Sequence, residues 1–224
     1  MTRIAFKNRS MEFEGSGYFM DNAQTVSLGS IGTKATPFGS VGKLEVKSNV
    51  PVPKLEGKVR LLGPWEWATS VAARSGFLGA VSAGFKAIGF SGSAGAVFDA
   101  MAERRLKIVQ LFIQEDDMIS AVNSAPKARN SLHDYGGDGR VVHTVFVIMD
   151  AALAASVTAG TKLDLSAEAG GILSVKASGG AVVSAKSSFT VTPGTVLAYG
   201  MLNPDWSSRE DRFVGSRVDE TGVL

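Results

Sequence analysis

Two stretches of this chain, residues 75–102 and 151–188, are dominated by glycine, alanine and serine, and they limit what it can fold into. Small side chains bury little apolar surface, worth about 25 cal/mol per Å², and glycine adds a backbone-entropy cost inside a strand or helix. Neither stretch makes a dense core by itself. Each is either loosely held on a better-packed frame or suited to another environment. The frame has the material it needs, since 45% of the 224 residues are hydrophobic, enough for one sizeable core.

The second stretch has a period of two. In 161–169 the apolar residues fall at Leu163, Leu165, Ala167 and Ala169, with Lys162, Asp164, Ser166 and Glu168 on the other face. That is the pattern of an amphipathic strand. After Gly170-Gly171 it resumes with Leu173, Val175 and Ala177 against Ser174, Lys176 and Ser178, and after Gly179-Gly180 with Val183 and Ala185. Phe189 and Val191 alternate with threonines, Pro193-Gly194 makes a turn, and 195–199 reads as a more buried strand.

Upstream, Phe77–Phe90 carries a weaker strand pattern, and 89–95 reads as a turn or strand tip because it lacks the Lys-Ser/Thr ending of a phosphate loop. Leu106–Ile113 is a clear strand. Asp116 and Asp117 are suited to cap a helix through Met118, Ile119 and Val122 that Pro126 limits, and Lys127–His133 is expected to form a second short helix ended by the glycines at 136–139. Val141–Met149 is a near-continuous apolar run, expected to be buried on both faces. Lys43–Lys47 alternates, Leu55–Leu61 is expected to pair with it, and 15–42 reads as loop or short edge strands. Trp65 and Trp67 fit either core packing or an interfacial anchor.

Charge and composition exclude several classes. There is no cysteine, hence no disulfide framework, thiolate metal site or thiol nucleophile, and His133 and His143 have no acids at ligand spacing. No cofactor and no enzymatic activity are expected. Basic residues are not interleaved with exposed aromatics, so nucleic acid is not an expected partner. Residues 1–60 carry nine Lys/Arg against five acids, while the segment from Asp205 carries three against five. A basic body with an acidic tail fits an anionic surface. No apolar window reaches the length of a transmembrane helix or signal peptide, so the chain is expected to be cytoplasmic when soluble.

The order of elements from about Phe77 to Leu202 resembles the pore-forming domain of the gasdermin family. The matching features are a small-residue hairpin, the strand 106–113, the helical insert 116–133, a Gly/Asp turn, the strand 141–149, a second low-complexity hairpin, and the closing segment Phe189–Gly200. The resemblance implies an α+β fold, mainly antiparallel twisted β-sheet with a few short helices. It also implies that two hairpin regions, about 75–113 and 152–192, become transmembrane strands in a large barrel built by many protomers.

On this reading residues 1–202 form a single pore-forming domain, and 203–224 a short acidic tail that either restrains it, as in small microbial members, or is a disordered terminus. The implied partners are anionic membrane lipid, further copies of the chain or a closely related second chain, and an activating protease. The membrane is the implied location after activation, and lytic cell death in immunity the implied outcome. Candidate lipid contacts are Arg3, Lys7, Arg9, Arg104, Arg105 and Lys107. Candidate membrane-facing positions are Leu163, Leu165, Ala167, Ala169, Leu173, Val175 and Ala177. The alternative is a soluble β-rich assembly subunit that pairs through edge strands.

Overall fold

The apolar run at 141–149 lies within a strand, Gly139–Asp150, that forms the axis of the fold. The computed structural model describes residues 4–7, 9–36, 42–67, 69–81, 84–159, 162–168, 172–178, 187–192, 194–209 and 211–220, with backbone alone for Lys7, Ala159, 162–168, 172–178 and 187–189. In chain order the strands are β1 (Ile4–Lys7), β2 (Ser10–Phe13), β3 (Ser16–Phe19), β4 (Ser30–Ala35), β5 (Lys43–Asn49), β6 (Val59–Trp65), β7 (Leu106–Ile113), β8 (Gly139–Asp150), β9 (Lys162–Glu168), β10 (Ile172–Ser178), β11 (Ser187–Val191), β12 (Val196–Trp206) and β13 (Phe213–Asp219). The helices are α1 (Val52–Leu55), α2 (Val71–Ala80), α3 (Ala94–Ala102), α4 (Glu115–Asn123), α5 (Pro126–Asp134) and α6 (Ala151–Ala159). The fold is α+β and mainly antiparallel, as expected.

A ten-stranded sheet runs β1-β2-β3-β12-β8-β4-β5, with β7 joined to β8, β6 to β7, and β13 to β12. Both faces of its centre are covered. Val109, Leu111, Val145, Val147 and Met149 pack with α4, α5 and α6 on one side. Leu106, Ile108, Phe146 and Ile148 pack with β1, β2, α2 and α3 on the other. Double-sided burial is why 141–149 reads as a continuous apolar run instead of an alternating one. Tyr199 adds a polar pin: its hydroxyl donates to the Asp21 carbonyl (3.0 Å) and accepts from the Leu44 amide (2.9 Å).

Several local expectations change. Phe77–Phe90 is not a strand: residues 71–80 are helix, with Ala73, Phe77 and Ala80 buried at helical spacing. The small residues between them satisfy a period of two as readily as one of 3.6. Ser70 and Ser93 cap α2 and α3 through the Ala73 and Ala96 amides, so 89–95 leads into a helix. The α4 helix begins at Glu115 with Gln114 as its cap residue; Asp116 and Asp117 lie in its first turn, where their charge suits the helix dipole. Residues 52–55 form α1, and β6 pairs with β7 instead of β5. β4 is interior, bonded to both β5 and β8.

The boundary expected at 202 falls inside β12, and the acidic segment contains β13. β13 is held by charge as well as by its ladder. Asp219, 5% exposed, accepts from Arg140 Nε on β8 and from Lys34 Nζ (2.8 Å) on β4. At the outer edge of β13 the Asn123 side chain bonds both backbone groups of Phe213, and Glu115 accepts from the Ser216 amide (2.8 Å). Pro204, with no amide hydrogen, lies opposite Ser216.

His143, inside β8, keeps Nε2 buried without a hydrogen-bond partner among the described residues. Desolvation pushes its pKa down to about 4, so it stays neutral at pH 7.

Removing one member of a buried charge cluster leaves the others desolvated and unpaired. Asp219→Asn is therefore expected to lower stability by about 3 kcal/mol or more in urea unfolding. Arg217→Ala, which breaks an exposed pair with Asp205, is expected to cost less than about 1 kcal/mol. Equal effects of the two would contradict the structural role of the cluster.

Candidate functional site

Four neighbouring strands, β6, β7, β8 and β12, reach the same end of the sheet. The register sets Trp65 against Ile108, Leu106 against Asp150, and Val147 against Val196. The connection from β6 to β7 (residues 66–105) and the connection from β8 to β12 (residues 151–195) both leave from that end. These two inserts contain the two small-residue stretches singled out in the sequence. Each joins strands that are adjacent and antiparallel.

The first insert folds as α2, a connecting strap and α3. It lies on an aromatic cluster in which Phe6 meets Trp67 edge-on (5.2 Å), Trp67 stacks on Phe98 (5.2 Å) and Phe77 meets Phe6 (5.3 Å). Trp65 and Trp67 thus pack against the core. α2 approaches β1 so closely that a Cβ at Gly76 would stand 2.5 Å from the Phe6 carbonyl oxygen. The second insert begins with α6, whose first turn is capped by the Asp150 carboxylate on the Ala152 amide (2.8 Å), and continues into an antiparallel sheet β9-β10-β11.

The register of that small sheet sets Leu163 opposite Ala177, Leu165 opposite Val175, and Ala167 opposite Leu173. Six of the seven candidate membrane-facing positions therefore form three cross-strand pairs, and they alternate with the pairs Asp164–Lys176 and Ser166–Ser174. Ala169 lies outside the described residues.

The structure also brings three candidate lipid contacts together. Arg104, Arg105 and Lys107 lie at the mouth of the first insert, where Arg104 and Lys107 join Trp65, Glu66, Trp67 and Met101 around a cavity of about 210 Å³. Two of the cations are already neutralised. Lys107 Nζ bonds Glu66 (2.9 Å), and Arg105 Nε bonds Glu103 (2.6 Å). The hydrogen bond from Lys107, helped by the Lys107 and Arg104 charges, holds the Glu66 carboxyl below the usual range. Arg104 has no ion pair among the described residues. Its φ of +62° ends α3 in a left-handed turn, with the Arg105 amide bonded to the Ala100 carbonyl and the Arg104 amide to that of Met101. Glycine usually fills this position.

The other candidates do not join this group. Arg9 is exposed in the β1–β2 turn with a φ of +64°, Lys7 is described only as β1 backbone, and Arg3 lies outside the described residues. Sequence reasoning missed Glu66, whose pairing with Lys107 spans 41 positions; an acid between two tryptophans was the available signal.

No group of three side chains suited to a metal ion occurs among the described residues. No helix among them is long and apolar enough to cross a membrane, which leaves crossing by strands untouched. Comparison with protein-family models, with curated proteins and with solved structures returns no match.

Arg104→Gly removes the unpaired cation and relieves the left-handed turn. It is expected to leave the thermal midpoint unchanged or slightly raised while weakening sedimentation with phosphatidylserine vesicles. Undiminished vesicle binding would remove Arg104 from the candidate lipid contacts.

Proposed function

We propose that this chain is a pore-forming protein of gasdermin-like type, in which residues 66–105 and 151–195 convert into two hairpins that lengthen β6–β7 and β8–β12 into a lipid bilayer. One observation carries this reading: both small-residue inserts connect adjacent antiparallel strands at the same end of one sheet. Lengthening four consecutive strands keeps the β6–β7, β7–β8 and β8–β12 pairings and adds to them. Each insert provides arms of about 20 residues, or about 65 Å when extended, against a hydrocarbon core of about 30 Å. The alternation of β9 and β10 supports one lipid-facing and one water-facing side.

Two hairpins leave open edges, and hydrocarbon does not tolerate unpaired strand edges. The outward strand β6 and the returning strand β12 run antiparallel, so β6 of one copy would pair with β12 of the next, and closure requires a ring of copies. Arg104, Arg105 and Lys107 stand at the strand exits, suited to meet anionic headgroups first. β13 pairs with residues 201–206 of β12, the end remote from the inserts, so we assign the acidic tail to the frame. Restraint by the tail, or its relief by a protease, would act through frame stability.

The alternative of an edge-pairing assembly subunit has a narrower basis. Asn123 and Glu115 occupy the edge of β13, leaving among the described residues of the large sheet the outer edges of β1, β5 and β6. Oligomers in lipid-free buffer, with no vesicle leakage, would favour it.

Dye release from phosphatidylserine-containing vesicles tests the pore directly. Wild-type protein is expected to release dye, Leu165→Lys to fail because a charge near the midplane costs about 2–4 kcal/mol per strand, and Ser166→Lys to remain active. Equal effects of the two substitutions would refute the assigned faces, and no release by folded wild-type protein would refute the function.

A further inference from the structure

Residues 84–93, ahead of α3, cross the open end of the sheet as a strap that is bonded to the second insert as well as to the first. The Lys86 amide donates to the Gly194 carbonyl at the foot of β12 (2.5 Å). Gly194 has a φ of +93°, and a Cβ there would stand 2.7 Å from the Gly84 carbonyl oxygen. Two residues further on, the strap joins β8 itself. The Ile88 amide donates to the Ile148 carbonyl (2.8 Å), and the Ile88 carbonyl accepts from the Asp150 amide (3.1 Å), a parallel bridge opposite Met149.

The place Ile88 occupies matters. At this height one edge of β8 is filled by β7, through Lys107 against Met149 and Ile108 against Ile148. Ile88 therefore lies on the other edge, which β12 uses further down. The β8–β12 register ends with Val196 opposite Val147. Continued by two residues, it would set Gly194 opposite Met149, where Ile88 now bonds. A strand edge offers one row of amide and carbonyl groups, so Ile88 and a lengthened β12 cannot both pair with it.

We infer that the strap is an interlock between the two inserts: the second hairpin lengthens β8–β12 only after the first insert has withdrawn Ile88. The inference rests on the insertion reading above and adds an order to it. The first insert moves before the second or with it, never after it. The interlock also keeps a partly converted molecule from exposing the second, amphipathic hairpin alone.

The absence of cysteine makes a staple straightforward to test. In Ile88→Cys/Met149→Cys the paired positions are expected to form a disulfide that holds the strap on β8. Hydrogen exchange is then compared in solution and on phosphatidylserine–phosphatidylcholine vesicles, for peptides covering 84–105 and 162–178. Reduced protein should change in both segments on vesicles, and oxidised protein in neither. A vesicle-induced change in 162–178 with the disulfide closed would overturn the interlock and leave the pore reading standing. No change in either segment of reduced or wild-type protein would overturn both.

A second variant needs no staple and no membrane. Gly194→Ala should push the strap away, so that the Ile88 and Asp150 amides exchange at least about tenfold faster in solution while the β7–β8 ladder stays protected. Unaltered exchange at those two amides would overturn the interlock without bearing on insertion.

Discussion

Everything in this molecule is arranged around β8, which is bonded along both edges and buried on both faces. One edge is bonded to β12 over 141–147 and to Ile88 beyond it, the other to β4 over 139–141 and to β7 over 144–150. Val145, Val147 and Met149 serve one core while Phe146 and Ile148 serve the other. A strand so fully satisfied has no low-energy alternative. It fixes the positions of β7 and β12, and through them the common end at which the two inserts begin.

The inserts are made of different material. α6 has no charged residue, and β9 and β10, which alternate apolar with polar residues, are joined through Gly170-Gly171. α2 touches β1 only because Gly76 allows backbone contact there. The alternation of β9 and β10 already suits a surface with one apolar and one polar side, whereas the first insert gives up the burial of Phe77, Val97, Phe98 and Met101 on leaving the frame. Two packings of one sequence that differ modestly in free energy are what a conversion of this kind requires. The frame keeps its large side chains, its Tyr199 pin and the Asp219 cluster. This division explains why small residues are concentrated in two blocks instead of being spread along the chain.

Much of the frame was legible in the sequence because its signals are local. β7, β8, α5 and the pairing-competent alternation of β9 and β10 followed from periodicity and turn residues. What stayed hidden depends on distant partners. Glycine, alanine and serine made the period of 71–80 ambiguous, and only the aromatic cluster that receives Phe77 selects the helix. β13 looked like an acidic tail because Asp219 finds its cations 79 and 185 positions away. For the site, the basic run 104–107 was visible, but the Glu66 partner and the left-handed turn at Arg104 were not. The strap's hold on β8 comes from a two-residue bridge with no periodic signature.

The central claim is that β7 and β8 grow in register from this frame. Their pairing of Leu106 with Asp150, continued outward, sets Ala100 opposite Ser156. At present these residues belong to α3 and α6, which pack on opposite faces of the sheet. The most direct measurement is disulfide formation in Ala100→Cys/Ser156→Cys, in solution and on anionic vesicles. The account predicts no cross-link in solution and an intramolecular cross-link on vesicles. Vesicles made leaky by the protein without that cross-link would contradict it.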